Sequence, residues 1–300
     1  MAEPGASVFP GLRIRAVTIV GLGVMGGSVA KALARRAPAL RVFGVEPDGD
    51  SAERAARDGI VVADALDECP VEDGAVIFAA PLDATVALVR DTRCRWRTAA
   101  LATDVAGLKV PVLAAVGRGS RDGGVFVGSH PMCGSERSGY AAARADLFEG
   151  AEVWLCPANS EDGADLGQSI RSSPALQRAS AFWTLLGARP KTVSAARHDR
   201  LMAWASHLPQ LLANALAMSL DDAGVGRETL GPGGRDMTRL ARSGPAMWAP
   251  LLEAAAIEDA QALRAVETGI AGIRRMLETG DMEGIEDVMA RGKRWAAPAC

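Results

Sequence analysis

Apolar residues come as short unbroken runs in the first two thirds of the chain and at helical spacing in the last third. Arg15–Val20 is a β-branched run that stops at glycines, and Ser28–Arg36 follows with a helical pattern. A second run, Arg41–Val45, ends in Glu46-Pro47-Asp48. Further runs at Ala75–Ala80, Ala99–Thr103 and Val125–Val127 alternate with helix-like stretches, and Pro174–Leu186 and Lys191–Ala195 read as one more helix and strand. Strand, helix, strand repeated in this way predicts an α/β fold, a Rossmann-like doubly wound parallel sheet with helices on its faces. Residues 157–174 are polar and rich in Ser, Asp and Gly, a surface loop. From about Ala196 the pattern is Ala/Leu-rich and helical, with no strand pattern after Ser194 and one break at Gly231-Pro232-Gly233-Gly234. The expected organisation is a loose tail over 1–12, a nucleotide-type domain over 13–195 and an all-helical domain over 196–300. The stretch from Met247 to Leu277 is long and apolar enough to call for a partner subunit or for burial against the first domain.

Composition narrows the function classes. The 300 residues are 49% hydrophobic and 23% charged, with a net charge of −3, which speaks against a nucleic-acid or anionic-membrane partner. The five cysteines are scattered and form no C-x-x-C pair, so neither a disulfide framework nor a zinc site is expected, and a cytoplasmic setting fits. The N-terminus lacks the apolar core of a signal peptide, and the glycines and Lys31 interrupt the Val17–Leu33 run.

Gly21-Leu22-Gly23-Val24-Met25-Gly26 carries G-x-G-x-x-G between a strand and a helix. The first glycine permits the tight turn, the second lets a pyrophosphate reach the backbone, and the third allows the helix to pack closely on the strand. Glu46 lies about 20 residues beyond Gly26, where a carboxylate can bond the ribose hydroxyls and repel a 2′-phosphate. The expected cofactor is therefore NAD. Ala80 and Asp104, at the ends of later strands, are further cofactor-contact candidates, and Asp48 is a weaker one for the ribose.

Of the three histidines, His130 stands in Gly128-Ser129-His130-Pro131-Met132-Cys133-Gly134-Ser135-Glu136-Arg137-Ser138-Gly139, after a predicted strand. That places it at a carboxyl end of the sheet, where open α/β sheets bind ligands. The stretch resembles the H-P-M-x-G-x-E-x-S-G signature of the prephenate and arogenate dehydrogenases. Three more blocks resemble that family in the same order: Thr103-Asp104-Val105-Ala106-Gly107-Leu108-Lys109; His198-Asp199 with Ser206-His207-Leu208-Pro209-Gln210; and Gly234-Arg235-Asp236-Met237-Thr238-Arg239 with Ser243, Pro245 and Trp248. The match runs from about Arg13 to Leu277.

The resemblance implies oxidation of a small cyclohexadiene: hydride leaves C4 for NAD⁺, the C1 carboxylate leaves as CO₂, and the ring becomes aromatic. His130 would take the C4 hydroxyl proton, Arg235 would clamp a substrate carboxylate with Arg239 next in line, and Ser135 and Glu136 would orient or gate the substrate. His207, Gln210 and Asn214, at i, i+3 and i+7, form a polar stripe on an apolar helix, read as the wall of a wet cavity between the domains. Pro209 should kink that helix, and His198 reads as structural. The family also implies a homodimer through the helical domain, and no regulatory domain is expected after the helices.

Two positions depart from the family pattern. Gly107 stands where the family typically has a Ser associated with the catalytic His and the C4 substituent, leaving open space by its lack of a side chain. Gln210 stands where a second His is frequent. Both bear on the substrate: prephenate or arogenate of tyrosine biosynthesis, or the amino analogue 4-amino-4-deoxyprephenate of specialised biosynthesis. Other readings are a β-hydroxyacid dehydrogenase, disfavoured because no lysine falls between Lys109 and Lys191, and a catalytically dead NAD-binding sensor.

Overall fold

The structure, a computed structural model, describes residues 7–9, 12–117, 124–134, 137–158 and 173–297. Strands β1 (Ser7–Phe9) and β2 (Leu12–Ile14) pair as an antiparallel ribbon across the end of the segment expected to be a loose tail. The main sheet holds β3 (Ala16–Val20), β4 (Arg41–Val45), β5 (Val61–Ala63), β6 (Ala75–Phe78), β7 (Leu101–Asp104), β8 (Phe126–Pro131), β9 (Glu152–Pro157) and β10 (Arg189–Thr192), in the order β10-β9-β8-β7-β6-β3-β4-β5. All neighbours are parallel except β8 and β9, so the sheet is not purely parallel as expected. β9 pairs directly with the strand that carries His130, with Trp154 opposite His130.

The chain runs outward from β3 to β4 and β5, then crosses back to β6 on the other side of β3. Strand order reverses there, and a crevice opens at the carboxyl ends of β3 and β6. Two hydrophobic layers cover the sheet. One packs Val29 and Leu33 of the Val24–Arg36 helix with Phe148, Phe182 and Trp183. The other packs Phe78, Val89, Trp96, Val112 and Phe126 with Met202, Leu251 and Ala255. The second layer takes side chains from both halves of the chain, so the helical part shares a core with the sheet. Each such large side chain, when fully buried, stabilises the fold by about 1.5–3 kcal/mol.

Local signals set the helix ends. Ser173 and Ser194 accept backbone N–H bonds from Leu176 and Arg197 at the starts of Pro174–Leu185 and Ala195–Met202. Gly280, at φ 70°, stops Ala256–Thr279 in the left-handed conformation that glycine adopts most easily. Pro209 does not end its helix: Ala195–Met202 passes through a π-helical turn over Ala203–His207 into Leu208–Asp222. The wider turn accommodates a residue that has no N–H to donate. The apolar stretch expected as one element is two helices, Pro245–Ala254 and Ala256–Thr279, and a further helix, Met282–Ala296, follows. No helix among the described residues is long and apolar enough to cross a membrane.

Candidate active site

Geometry gives the three glycines of the turn three different jobs. Gly21 has φ +96°, and a Cβ there would stand 2.8 Å from the Ala79 carbonyl. A Cβ on Gly26 would stand 1.9 Å from the Gly21 oxygen, so helix and strand touch at that point. A Cβ on Gly23 would meet nothing within 4 Å. Gly23 is thus the open face, at the start of the Val24–Arg36 helix, which carries no side-chain cap and no acidic residue in its first turn. Its first N–H groups are free for an anion. Beside Gly21 and Gly23 lies a cleft of about 660 Å³ whose lining includes Glu46, Asp48, Ala80 and Ser138. Leu22 is buried beneath the turn, while Val24 and Met25 are half-buried in its first helical residues.

Glu46 is fixed at the cleft rim by two backbone donors: Leu22 N–H to Oε2 (2.6 Å) and Asp48 N–H to Oε1 (2.9 Å). Each oxygen keeps acceptor capacity for a hydroxyl. Asp48 is committed elsewhere, accepting from Ser51 N–H at 2.9 Å as the cap of Gly49–Arg57. That bond holds its carboxyl below the usual range. The residues present fit a dinucleotide with a free ribose.

Asp104 does not face this cleft. Its side chain is completely buried, pairs with Lys109 Nζ, and accepts from Ala106 N–H (2.9 Å) and Ser129 N–H (3.2 Å). Strand β7 thus delivers this cofactor-contact candidate with its carboxylate turned to a buried lysine. Lys109 Nζ also donates to the Ser129 carbonyl (2.6 Å), the peptide that carries His130. Sequence reasoning missed this lysine, although a charged residue inside Leu108-Lys109-Val110 was a visible signal.

His130 is the last residue but one of β8 and is half-buried. Its Nδ1 lies 2.9 Å from Nε2 of His198, and the two rings meet edge to face with centroids 5.1 Å apart. Burial, then the neighbouring His198, Lys109 and His207, hold the His130 pKa well below the ordinary histidine value, so the ring is neutral at physiological pH. His198, read from sequence as structural, is fully buried directly behind His130. Its Nδ1 is 2.7 Å from Asp199 Oδ1. Asp199 in turn accepts from Lys109 N–H and Val110 N–H, both 2.8 Å, at the start of the Val110–Val116 helix. Cys133, close to His130 in sequence, has its thiol pushed up to about 11 by burial, so it is no nucleophile near neutral pH.

The polar stripe is more occupied than expected. His207 Nδ1 lies 3.0 Å from Oδ1 of Asp259, and its ring meets Trp248 edge to face. Gln210 donates from Nε2 to the Leu240 carbonyl (2.9 Å), and its buried Oε1 has no partner among the described residues. His207 and Gln210 are buried and Asn214 is half-buried, and Gln210 pins the turn that carries Leu240. Arg235 and Arg239 are both exposed. The space at Gly107 is not open as expected: a Cβ there would be 3.2 Å from Cδ2 of Leu251, from the Pro245–Ala254 helix. Ser135 and Glu136 lie outside the described residues.

Fold and site define a two-domain protein with a dinucleotide-binding sheet and a histidine at its carboxyl edge. Residues 29–188 match the model of the prephenate dehydrogenase nucleotide-binding domain, and residues 194–291 match that of the prephenate dehydrogenase dimerization domain. The chain belongs to the prephenate dehydrogenase family. It is similar to the prephenate dehydrogenase of Bacillus subtilis (strain 168), with 30% identity over 247 residues, 79% of this chain and 63% of that protein. It is also similar to the cyclohexadienyl dehydrogenase of Zymomonas mobilis, with 26% identity over 82% of each chain. The chain thus spans less than two thirds of the Bacillus relative. Among solved structures, prephenate dehydrogenase from A. aeolicus in complex with hydroxyphenyl propionate and NAD⁺ superposes with a TM-score of 0.78 at 25% identity, over 93% of this chain and 96% of that one.

Proposed function

We propose that this protein catalyses the NAD-dependent oxidative decarboxylation of a prephenate-type cyclohexadiene, prephenate or arogenate, in tyrosine biosynthesis. The observation that carries the reading is a neutral His130 at the carboxyl edge of the sheet, in a chain whose glycine turn and Glu46 suit NAD. The turn 21–26 and Glu46 would hold the dinucleotide, which when bound would supply the acceptor for the hydride from ring C4. His130 accepts the C4 hydroxyl proton through Nε2, the nitrogen not facing His198. A base that is neutral at working pH is what this step needs. Arg235, with Arg239 behind it, is the candidate for the substrate carboxylate, since a guanidinium binds carboxylate bidentately. Residues 13–195 form the nucleotide domain on this reading, and 196–300 the substrate and dimer domain. Absorbance growth at 340 nm with NAD⁺ and each of prephenate, arogenate and 4-amino-4-deoxyprephenate tests it; no growth with any of the three sinks it.

One observation favours the amino analogue as a second reading. Leu251 packs where the family's serine side chain would begin, so an apolar side chain stands where the serine would offer a hydroxyl acceptor. A C4 amine must be neutral before hydride leaves its carbon, and the loss of that acceptor disfavours the ammonium. Gly107→Ser requires Leu251 to yield by a few tenths of an ångström. It should raise prephenate turnover relative to the amino analogue; an unchanged ratio removes Gly107 as selector.

A further inference from the structure

The hydrogen bonds behind His130 form one line: Asp199 Oδ1, His198 Nδ1 at 2.7 Å, His198 Nε2, and His130 Nδ1 at 2.9 Å. The donors and acceptors along it can be ordered. Both Asp199 oxygens already accept a backbone N–H, the setting of an ionised carboxylate that only accepts. His198 must then donate from Nδ1, which leaves the Nε2 of a neutral ring as an acceptor. His130 must donate to it from Nδ1, and its own Nε2 is left with a free lone pair on the side away from His198.

We infer that His198 is a positioning residue that fixes the tautomer of His130 and, with Asp199, takes up the proton that catalysis delivers. The inference rests on the proposed reaction for its second half only. When His130 Nε2 accepts the hydroxyl proton, the ring becomes an imidazolium whose Nδ1–H points at His198 Nε2. Transfer of that second proton returns His130 to neutrality as the Nε2–H form. The positive charge then sits on His198, against the Asp199 carboxylate. One proton enters the pair and none leaves, and no electron moves along the line.

Three features make the line rigid. His198 is completely buried, and the Trp154 ring meets it edge to face at 6.5 Å between centroids. Asp199 is held by the two peptide N–H groups that open the Val110–Val116 helix. Lys109 anchors the Ser129 carbonyl just before His130. The charged or titratable groups acting on His130 are His198, Lys109 and His207; Asp199 acts through His198. The first element of the helical part thereby sets the protonation pattern of a residue on the sheet.

Nitrogen-15 histidine NMR on the intact protein reads which ring nitrogen holds the proton and needs no substrate. Both His130 and His198 should be Nδ1–H tautomers above pH 7. An Nε2–H form of His130, or a His198 protonated on both nitrogens, overturns the inference. Kinetics supply the second arm. His198→Gln can still accept from His130 Nδ1 and should keep kcat within about tenfold of the parent. His198→Phe cannot, and should lose about 100-fold in kcat, the lower end of an acid–base contribution, with NAD⁺ Kd and substrate KM little changed. Equal kcat for both variants and the parent also overturns it. If the tautomers are as stated but no cyclohexadiene is oxidised, the proposed function fails and the positioning by His198 stands.

Discussion

At His130 the decisive quantity is the free energy of carrying a charge. Burial disfavours the imidazolium, and three neighbouring groups that carry or can carry positive charge disfavour it further. The folded-state pKa is lowered, so the unfolded chain binds this proton more readily between the folded value and about 6.5. In that window stability rises with pH and levels off above the unfolded value. The same shift puts the acid limb of kcat/KM below the ordinary histidine range; a limb at or above pH 6.5 would assign the titration to another group. Replacing His130 with Ala should lower kcat by about 10²- to 10⁴-fold and leave the NAD⁺ Kd, measured by calorimetry, nearly unchanged, because the phosphate and ribose partners lie elsewhere. Glu46 makes a second electrostatic choice. Two like charges about 4 Å apart at a protein surface repel by about 1–4 kcal/mol, so NAD⁺ should exceed NADP⁺ in kcat/KM by about tenfold or more. Glu46→Ser should narrow that ratio, and a parent that prefers NADP⁺ would show the carboxylate does not face the ribose.

Within the glycine turn, three residues of one type separate stability from binding. Gly26→Ala places a methyl 1.9 Å from a backbone oxygen. It should force helix and strand apart and lower Tm by several degrees, about 1–3 kcal/mol as for overpacked cores. Gly23→Ala meets no protein atom, so Tm should hold while NAD⁺ affinity falls, because the methyl occupies the approach to the pyrophosphate. Thermal melts with calorimetric titration of both variants check this; the reverse pattern would misplace the phosphate. The turn was legible because its signal is local: strand, glycines and helix are adjacent in sequence. The Arg41–Val45 run, ending at Glu46, was legible for the same reason. What escaped was set by distant partners. No strand was expected over β9, whose antiparallel pairing with β8 is set by a partner about 25 residues away. Leu251 stands against Gly107 from far along the chain, and Lys109 hides its charge only because Asp104 and the Ser129 carbonyl meet it. His198 and Asp199 were visible as a pair, but nothing in their spacing says that one backs His130 and the other caps a helix of the sheet domain.

For the molecule as a whole, the helical part leaves more apolar surface uncovered than one protomer can use. Ala256–Thr279 spans 24 residues, about 36 Å at 1.5 Å per residue, yet only Asp259 and Ala262 along it are buried. Met282–Ala296 buries none of its residues. Ile270, Ile273 and Leu277 lie at i, i+3 and i+7 on one stripe, with Ile270 57% and Leu277 61% exposed. Exposed apolar faces of this extent mark association surfaces, and the family model over residues 194–291 is a dimerization domain. A homodimer that buries this stripe is the expected assembly. Its stability should then depend on protomer concentration, because dissociation and unfolding are linked by mass action. Tm should rise as concentration rises across the micromolar range, and sedimentation velocity should show a dimer. Ile270→Glu and Leu277→Glu each put a carboxylate into an apolar contact, where an unpaired charge costs several kcal/mol. Either variant should sediment as a monomer and melt at a lower temperature than the parent, while the glycine turn, built on the sheet, still binds NAD⁺. Loss of NAD⁺ binding alongside the dimer would mean that the sheet domain depends on the partner for its fold. A Tm independent of concentration, with both variants still dimeric, would move the interface off this stripe.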